Sequence, residues 1–291
     1  MKHTRKKSTG TKRHMLLLPV FLVAVVALIM GAAAPNSWAE DDGEETPFDV
    51  AELFFELNNT DGDLGIHALV DGEPWKKLEI EDPRGRKMLD IYVKGRLRRQ
   101  GLTELFFESA EPTFDEFSPK RFFRRFREGI YEIEGITLEG DELESEALLT
   151  HVMPAPPEPT VNDEPMAEDC DEESPDYDAP EVNAPVTIAW PAVTMSHDDP
   201  EGGGAGVQPP VLVTIVNYEL VVEAETEDGF ESVFSVILPP DVREVTIPTA
   251  FIELGLDEDG EGEFKYEVLA REASYNQTAV ESCFVVVPAE E

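Results

Sequence analysis

Over much of its length this chain has no cations: between residues 128 and 242 there is neither a lysine nor an arginine. Across all 291 residues, 23 Lys and Arg face 62 Asp and Glu, a net charge of −39. Such a chain repels nucleic acid and anionic lipid headgroups, which argues against both as partners. Cysteine is equally scarce. Cys170 and Cys283 are the only two, so no CxxC pair exists; one disulfide is the most they can form, and two free thiols are the alternative. Beyond the first residues there are three histidines, His67, His151 and His197, none near another in sequence. There is no HxxEH and no GxSxG. Ser196, His197 and Asp198 are neighbours in one loop, which is not how a nucleophile, its base and an orienting acid are supplied. Gly202, Gly203 and Gly204 lie among Pro and Asp, which suits a flexible loop better than a phosphate cradle. These absences lead to the expectation of a non-enzymatic protein without a cofactor.

Only one stretch is long and apolar. Lys2, Arg5, Lys6, Lys7, Lys12 and Arg13 precede an apolar run over residues 16–30, and Ser37-Trp38-Ala39 follows with small residues at the −3 and −1 places of a cleavage site. This is the pattern of a secretory signal peptide over residues 1–39; an uncleaved membrane anchor is the alternative. Cleavage removes six cations and no acid, leaving 17 against 62, net −45. The expected location is outside the cytoplasm, secreted or periplasmic, with no membrane contact after cleavage. Fourteen of the 17 remaining cations lie between Lys76 and Arg127 among nine acids. That asymmetry predicts a basic face on an N-terminal domain.

Short, alternating apolar segments punctuated by turn residues predict antiparallel β structure. They cover residues 48–57, 66–70, 75–81, 88–93, 102–109, 130–138 and 143–152. Asp71-Gly72 is read as a hairpin turn. The exception is a short helix near residues 118–128, with Ser118 as cap, Pro119 at its first position and Gly129 at its end. Phe122, Phe123 and Phe126 share one face, so the helix is expected to close the end of a sandwich while its Lys and Arg stay in water. The alternative is a basic amphipathic helix that binds a membrane or an acidic partner. An N-terminal β domain is assigned to residues 47–153. Residues 154–184, rich in proline and acids and poor in large apolar residues, read as a disordered linker. The fold class is all-β: two sandwich-like domains joined by that linker.

Residues 185–288 hold about seven predicted strands, ending in a strand pair across residues 262–287, where Phe264, Tyr266, Val268 and Ala270 alternate with charged positions. With Trp190 closing one strand, Tyr218 opening the next, Leu254-Gly255 before a turn and Tyr266 at a tyrosine-corner place, this region resembles a fibronectin type III domain. It departs in the long loop at residues 196–210. The resemblance implies an extracellular binding or spacer module and brings no catalytic residues.

Asn59, Asp61 and Asp63 stand at alternate positions with glycines beside them, an arrangement that can hold calcium. An EF-hand would want Gly and Glu where Leu64 and Val70 stand, so a polar turn is the alternative. The expected function is binding of a protein or a cell-surface polymer. The alternatives are a glycan-binding accessory module of a secreted hydrolase system, using Trp75 and neighbouring aromatics such as Tyr92, and calcium-dependent adhesion.

Overall fold

The computed structural model describes residues 46–171, 173–198, 209–225 and 231–289. The expected signal peptide and the triple glycine lie outside the described residues. Residues from Glu44 to Glu291 form one compact unit.

The N-terminal half runs β1 (Val50–Asn58), β2 (Asp63–Glu81), β3 (Lys87–Tyr92), β4 (Leu102–Glu108), α1 (Pro119–Arg125), β5 (Gly129–Thr137) and β6 (Glu142–Leu149). β2 replaces two expected strands and the expected hairpin at Asp71-Gly72. It continues through 19 residues, pairing β1 and β4 along its first part and β3 and β5 along its second. The turn residues are spent on an irregularity between Asp71 and Trp75, where a Cβ on Gly72 would stand 3.1 Å from the Phe48 ring. A glycine within a strand marks this kind of bend and close approach.

Two-residue periodicity sorts the side chains. Along β1, Leu53, Phe55 and Leu57 enter the core with Leu64, Ile66, Ala68 and Val70 of β2. Glu52, Phe54, Glu56 and Asn58 take the opposite face. The buried face of α1 joins the same core, with the Phe122 and Phe123 rings 5.8 and 5.2 Å from that of Phe55. Its cations are exposed. The expected division of this helix into a packed Phe face and a wet basic face is what the structure shows.

The remainder comprises β7 (Thr160–Val161), β8 (Glu164–Pro165), β9 (Glu181–Val182), β10 (Thr187–Ala189), β11 (Ile215–Glu225), β12 (Glu231–Leu238), β13 (Glu244–Thr246), α2 (Thr249–Ile252), β14 (Gly262–Glu272) and β15 (Gln277–Val286). A second core gathers Trp190, Tyr218, Leu220, Phe251, Phe264, Tyr266 and Phe284. The Trp190 and Tyr218 rings meet edge to face at 5.5 Å. The Tyr218 hydroxyl accepts the Val193 N–H at 2.9 Å, which tethers β11 to the segment after Trp190.

Two features correct the linear picture. The halves are not beads on a string: β1 pairs parallel with β15, with Glu56 opposite Gln277 and Asn58 opposite Ala279, so both belong to one 11-stranded sheet. The described residues of the expected disordered linker are packed. Val161 and Val182 enter the second core, and β9 pairs with β15. The Pro154 carbonyl accepts the Thr278 hydroxyl at 2.7 Å, and a disulfide joins Cys170 to Cys283. Composition suggested disorder because the segment has too few apolar residues for a core of its own. It borrows one instead.

Candidate functional site

The face of the large sheet turned away from the two cores carries carboxylates. Cross-strand partners share a face, so the register places Glu267 of β14 directly opposite Glu281 of β15. Gln277 stands opposite Glu56 of β1 on the same side. β2 adds Gly65 beside Glu56 and His67 beside Phe54. Like charges directly opposite one another are unfavourable, so this strip calls for protons or cations.

His67 is at its centre, buried, with the Phe54 ring 5.4 Å away and the Phe106 ring 6.3 Å away. Its Nε2 lies 2.9 Å from Glu111 Oε1, and its Nδ1 lies 3.7 Å from Glu56 Oε2. Gln277 donates to Glu56. Glu111 arrives on the loop after β4. That loop is pinned where Ser109 N–H donates to the Ile66 carbonyl at 3.1 Å and Phe114 N–H donates to the Gly62 carbonyl at 2.8 Å. The Glu111 carboxylate rests on Gly65: a Cβ there would come within 1.9 Å of Oε1. Burial works against a charged imidazole at His67, but the Glu111 hydrogen bond and the Glu56 charge outweigh it and raise its pKa. Burial first, then Glu56 and Glu281, holds the Glu267 carboxyl well above the carboxylate range. Asp63 is pushed up to about 7, by burial first and then by Glu111 and Asp61. One oxygen each of Asp63 and Glu267 is buried with no hydrogen-bond partner among the described residues.

The expected calcium ligands are partly diverted. Asn59 and Asp61 are exposed, and the Asn59 side-chain oxygen meets His197 Nε2 at 3.1 Å. Asn58 organises the turn instead, its Oδ1 accepting the N–H groups of Thr60 and Asp61 at 3.0 and 3.2 Å. Asp63 alone of the three reaches toward the cluster around Glu111. The expected sugar platform is corrected as well: Trp75 is 0% exposed, so its ring has no face to offer a glycan, although Tyr92 is exposed.

On another part of the surface, a groove of about 600 Å³ is lined by Arg84, Lys120, Arg124 and Arg127 together with Pro83, Phe123, His151 and Glu128. The cations are exposed and make no ion pair among the described residues. Glu128 is held by the His151 N–H at 2.8 Å.

Glu56, His67 and Glu111 did not stand out as a group in the sequence. The signal that could have found them is Gly65, an isolated glycine in a strand pattern, which marks close approach by another group.

No family model and no curated protein matches the chain. Among solved structures, a cytokine receptor complex matches at 16% identity and a TM-score of 0.25, over 82% of this chain and 98% of that one. A bacterial ice-binding adhesin concerned with host cell surface retention matches at 11% and 0.22, over 84% and 67%. Trypsin-activated alpha-2-macroglobulin from Escherichia coli matches at 10% and 0.24, over 85% of this chain and 16% of that one. At these TM-scores the similarity carries no argument about fold or function. Among the described residues no helix is long and apolar enough to cross a membrane.

Proposed function

We propose that this is an exported, non-enzymatic binding protein that holds an anionic cell-surface polymer in the basic groove beside α1. One observation carries the reading: Arg84, Lys120, Arg124 and Arg127 converge on a single groove beside one carboxylate, Glu128, and make no ion pair among the described residues, in a chain of net charge −39. Charge unneutralised within the fold is available to a ligand. The long-range repulsion of the remaining surface does not cancel it, because at physiological ionic strength fields decay over about 8 Å. Three guanidinium forks suit sulfate, phosphate or carboxylate groups along a chain.

The rest of the reading has its own support. Export rests on the leader at residues 1–39. The fibronectin-like assignment of residues 185–288 rests on Trp190, Tyr218 and Tyr266, all buried in the second core. The non-enzymatic assignment draws on the absent catalytic motifs and on His67 and His151, whose ring hydrogen bonds go to carboxylate and carbonyl oxygens rather than to a nucleophile. A second reading, calcium-dependent adhesion at Asn59, Asp61 and Asp63, draws on the buried, unpartnered Asp63 oxygen.

Immobilised dextran sulfate, with uncharged dextran as control, tests the groove. The protein is expected to be retained at 0.15 M salt and released as salt rises. Arg124→Glu with Arg127→Glu should abolish retention without moving the melting temperature, because both side chains are exposed. Equal retention of the double variant, or none by the parent, removes the proposal.

A further inference from the structure

We propose that Glu56, His67 and Glu111 form a binding site for one divalent first-row transition-metal ion, of which zinc fits the donors best. The site is separate from the basic groove and takes none of the three expected calcium ligands. Three elements supply it: β1 gives Glu56, β2 gives His67 and the loop after β4 gives Glu111. One donor atom from each lies within 4.8 Å of the others. Zinc binds imidazole nitrogen and carboxylate oxygen at about 2.0–2.2 Å, so small side-chain movements bring these donors onto one ion. Three protein ligands leave a fourth tetrahedral position for water or a ligand group. The ion takes one ring nitrogen of His67, and the carboxylate on the side of the other nitrogen turns to reach it.

Three independent observations point to a cation here. Glu267 is 5% exposed, one of its oxygens is buried without a partner, and Glu56 is its strongest charged neighbour. A buried acceptor left open in this way asks for an ion, a proton or a water. The local charge is also strongly negative. Glu111, Glu56 and Glu108 are the charges acting on His67, while Arg271, the guanidinium that acts on Glu56, is paired with Glu52 at 2.9 Å. Finally, the Glu111 carboxylate occupies the space a Cβ on Gly65 would fill, so glycine at that position lets the loop deliver its ligand. The mixture of imidazole with carboxylates selects zinc or manganese over calcium, which prefers six to eight oxygens.

The test uses untagged protein stripped with chelator, then titrated with zinc chloride, manganese chloride and calcium chloride by calorimetry, with melting curves in parallel. The expected result is one zinc per chain, a raised melting temperature reversed by chelator, and weaker manganese binding. Glu111→Gln should lower zinc affinity at least tenfold, as should Gly65→Ala, which evicts the Glu111 carboxylate. Glu116→Gln, on the same loop and exposed, should leave it unchanged. Should the variants fail to fold, the parent titration decides alone. No saturable zinc or manganese binding, binding of calcium only, or equal zinc affinity in Glu111→Gln each overturns the site. Dextran sulfate retention is read separately, so the two proposals fail independently.

Discussion

The side-chain carbonyl of Asn276 accepts the backbone N–H of Phe55 at 2.8 Å, across 221 residues of sequence. The same amide donates to the carbonyls of Thr150 and Val152 and to the Thr150 hydroxyl, each at 3.0 Å. One fully buried side chain thus ties the β14–β15 turn to β1 and to the end of β6. Every polar atom it buries is satisfied, which is the condition under which a buried amide specifies structure rather than weakening it.

Asn276→Ala leaves the buried Phe55 N–H without its partner and takes the amide donor from the half-buried Thr150 and Val152 carbonyls. Each such group costs about 1–3 kcal/mol, so a loss of about 3 kcal/mol is expected, read from urea unfolding. Because the halves share one sheet, the parent is expected to unfold in a single transition. Two separated transitions in the parent would show that the junction does not couple them.

The Cys170–Cys283 bridge spans 113 residues. Closing a loop of that size restricts the unfolded chain by roughly 4–5 kcal/mol in the chain-entropy model. Reduction is therefore expected to lower the melting temperature strongly, and a melt with and without phosphine reductant measures it. An unchanged midpoint would mean that packing around β15 holds the segment unaided.

Glu79 is 3% exposed and lies between Lys77 and Lys87 at 2.7 and 2.5 Å. Lys77 first, then Lys87, lowers its pKa from 4.5 to about 2. A carboxyl depressed in the folded state contributes stability that is complete above its unfolded pKa and is lost as pH falls through the folded one. The loss should run from about pH 4.5 down to about 2. Glu79→Gln is expected to melt lower at pH 7 and to show a shallower acid limb, checked by melts from pH 7 to pH 2.

The two faces of α1 should separate cleanly. Phe123 stacks on His151 at 4.4 Å between ring centroids, so Phe123→Ala should cost about 3 kcal/mol. Arg124→Glu, on the exposed face, should leave the urea midpoint in place.

The candidate metal site was harder to read than the fold because its members are unremarkable one at a time. Glu56 sits in an apolar strand, His67 is a lone histidine and Glu111 falls in a loop. The pattern that does carry information is local: Glu56 and His67 both occupy positions off the core-facing alternation of their strands, and Gly65 interrupts a strand that would otherwise pack.

The amino-acid sequence by itself determined what is set by neighbours a few residues apart. That covers the β class, which side of each strand faces a core, the packed and basic faces of α1, and the concentration of cations between Lys76 and Arg127. Tertiary structure alone decided the parallel pairing of Glu56 with Gln277, the packing of the proline-rich segment against β15, the burial of Trp75 and the meeting of Glu56, His67 and Glu111. Each of these depends on residues far apart in sequence. No periodicity records such contacts, because the free energy that selects them comes from burying two distant surfaces together.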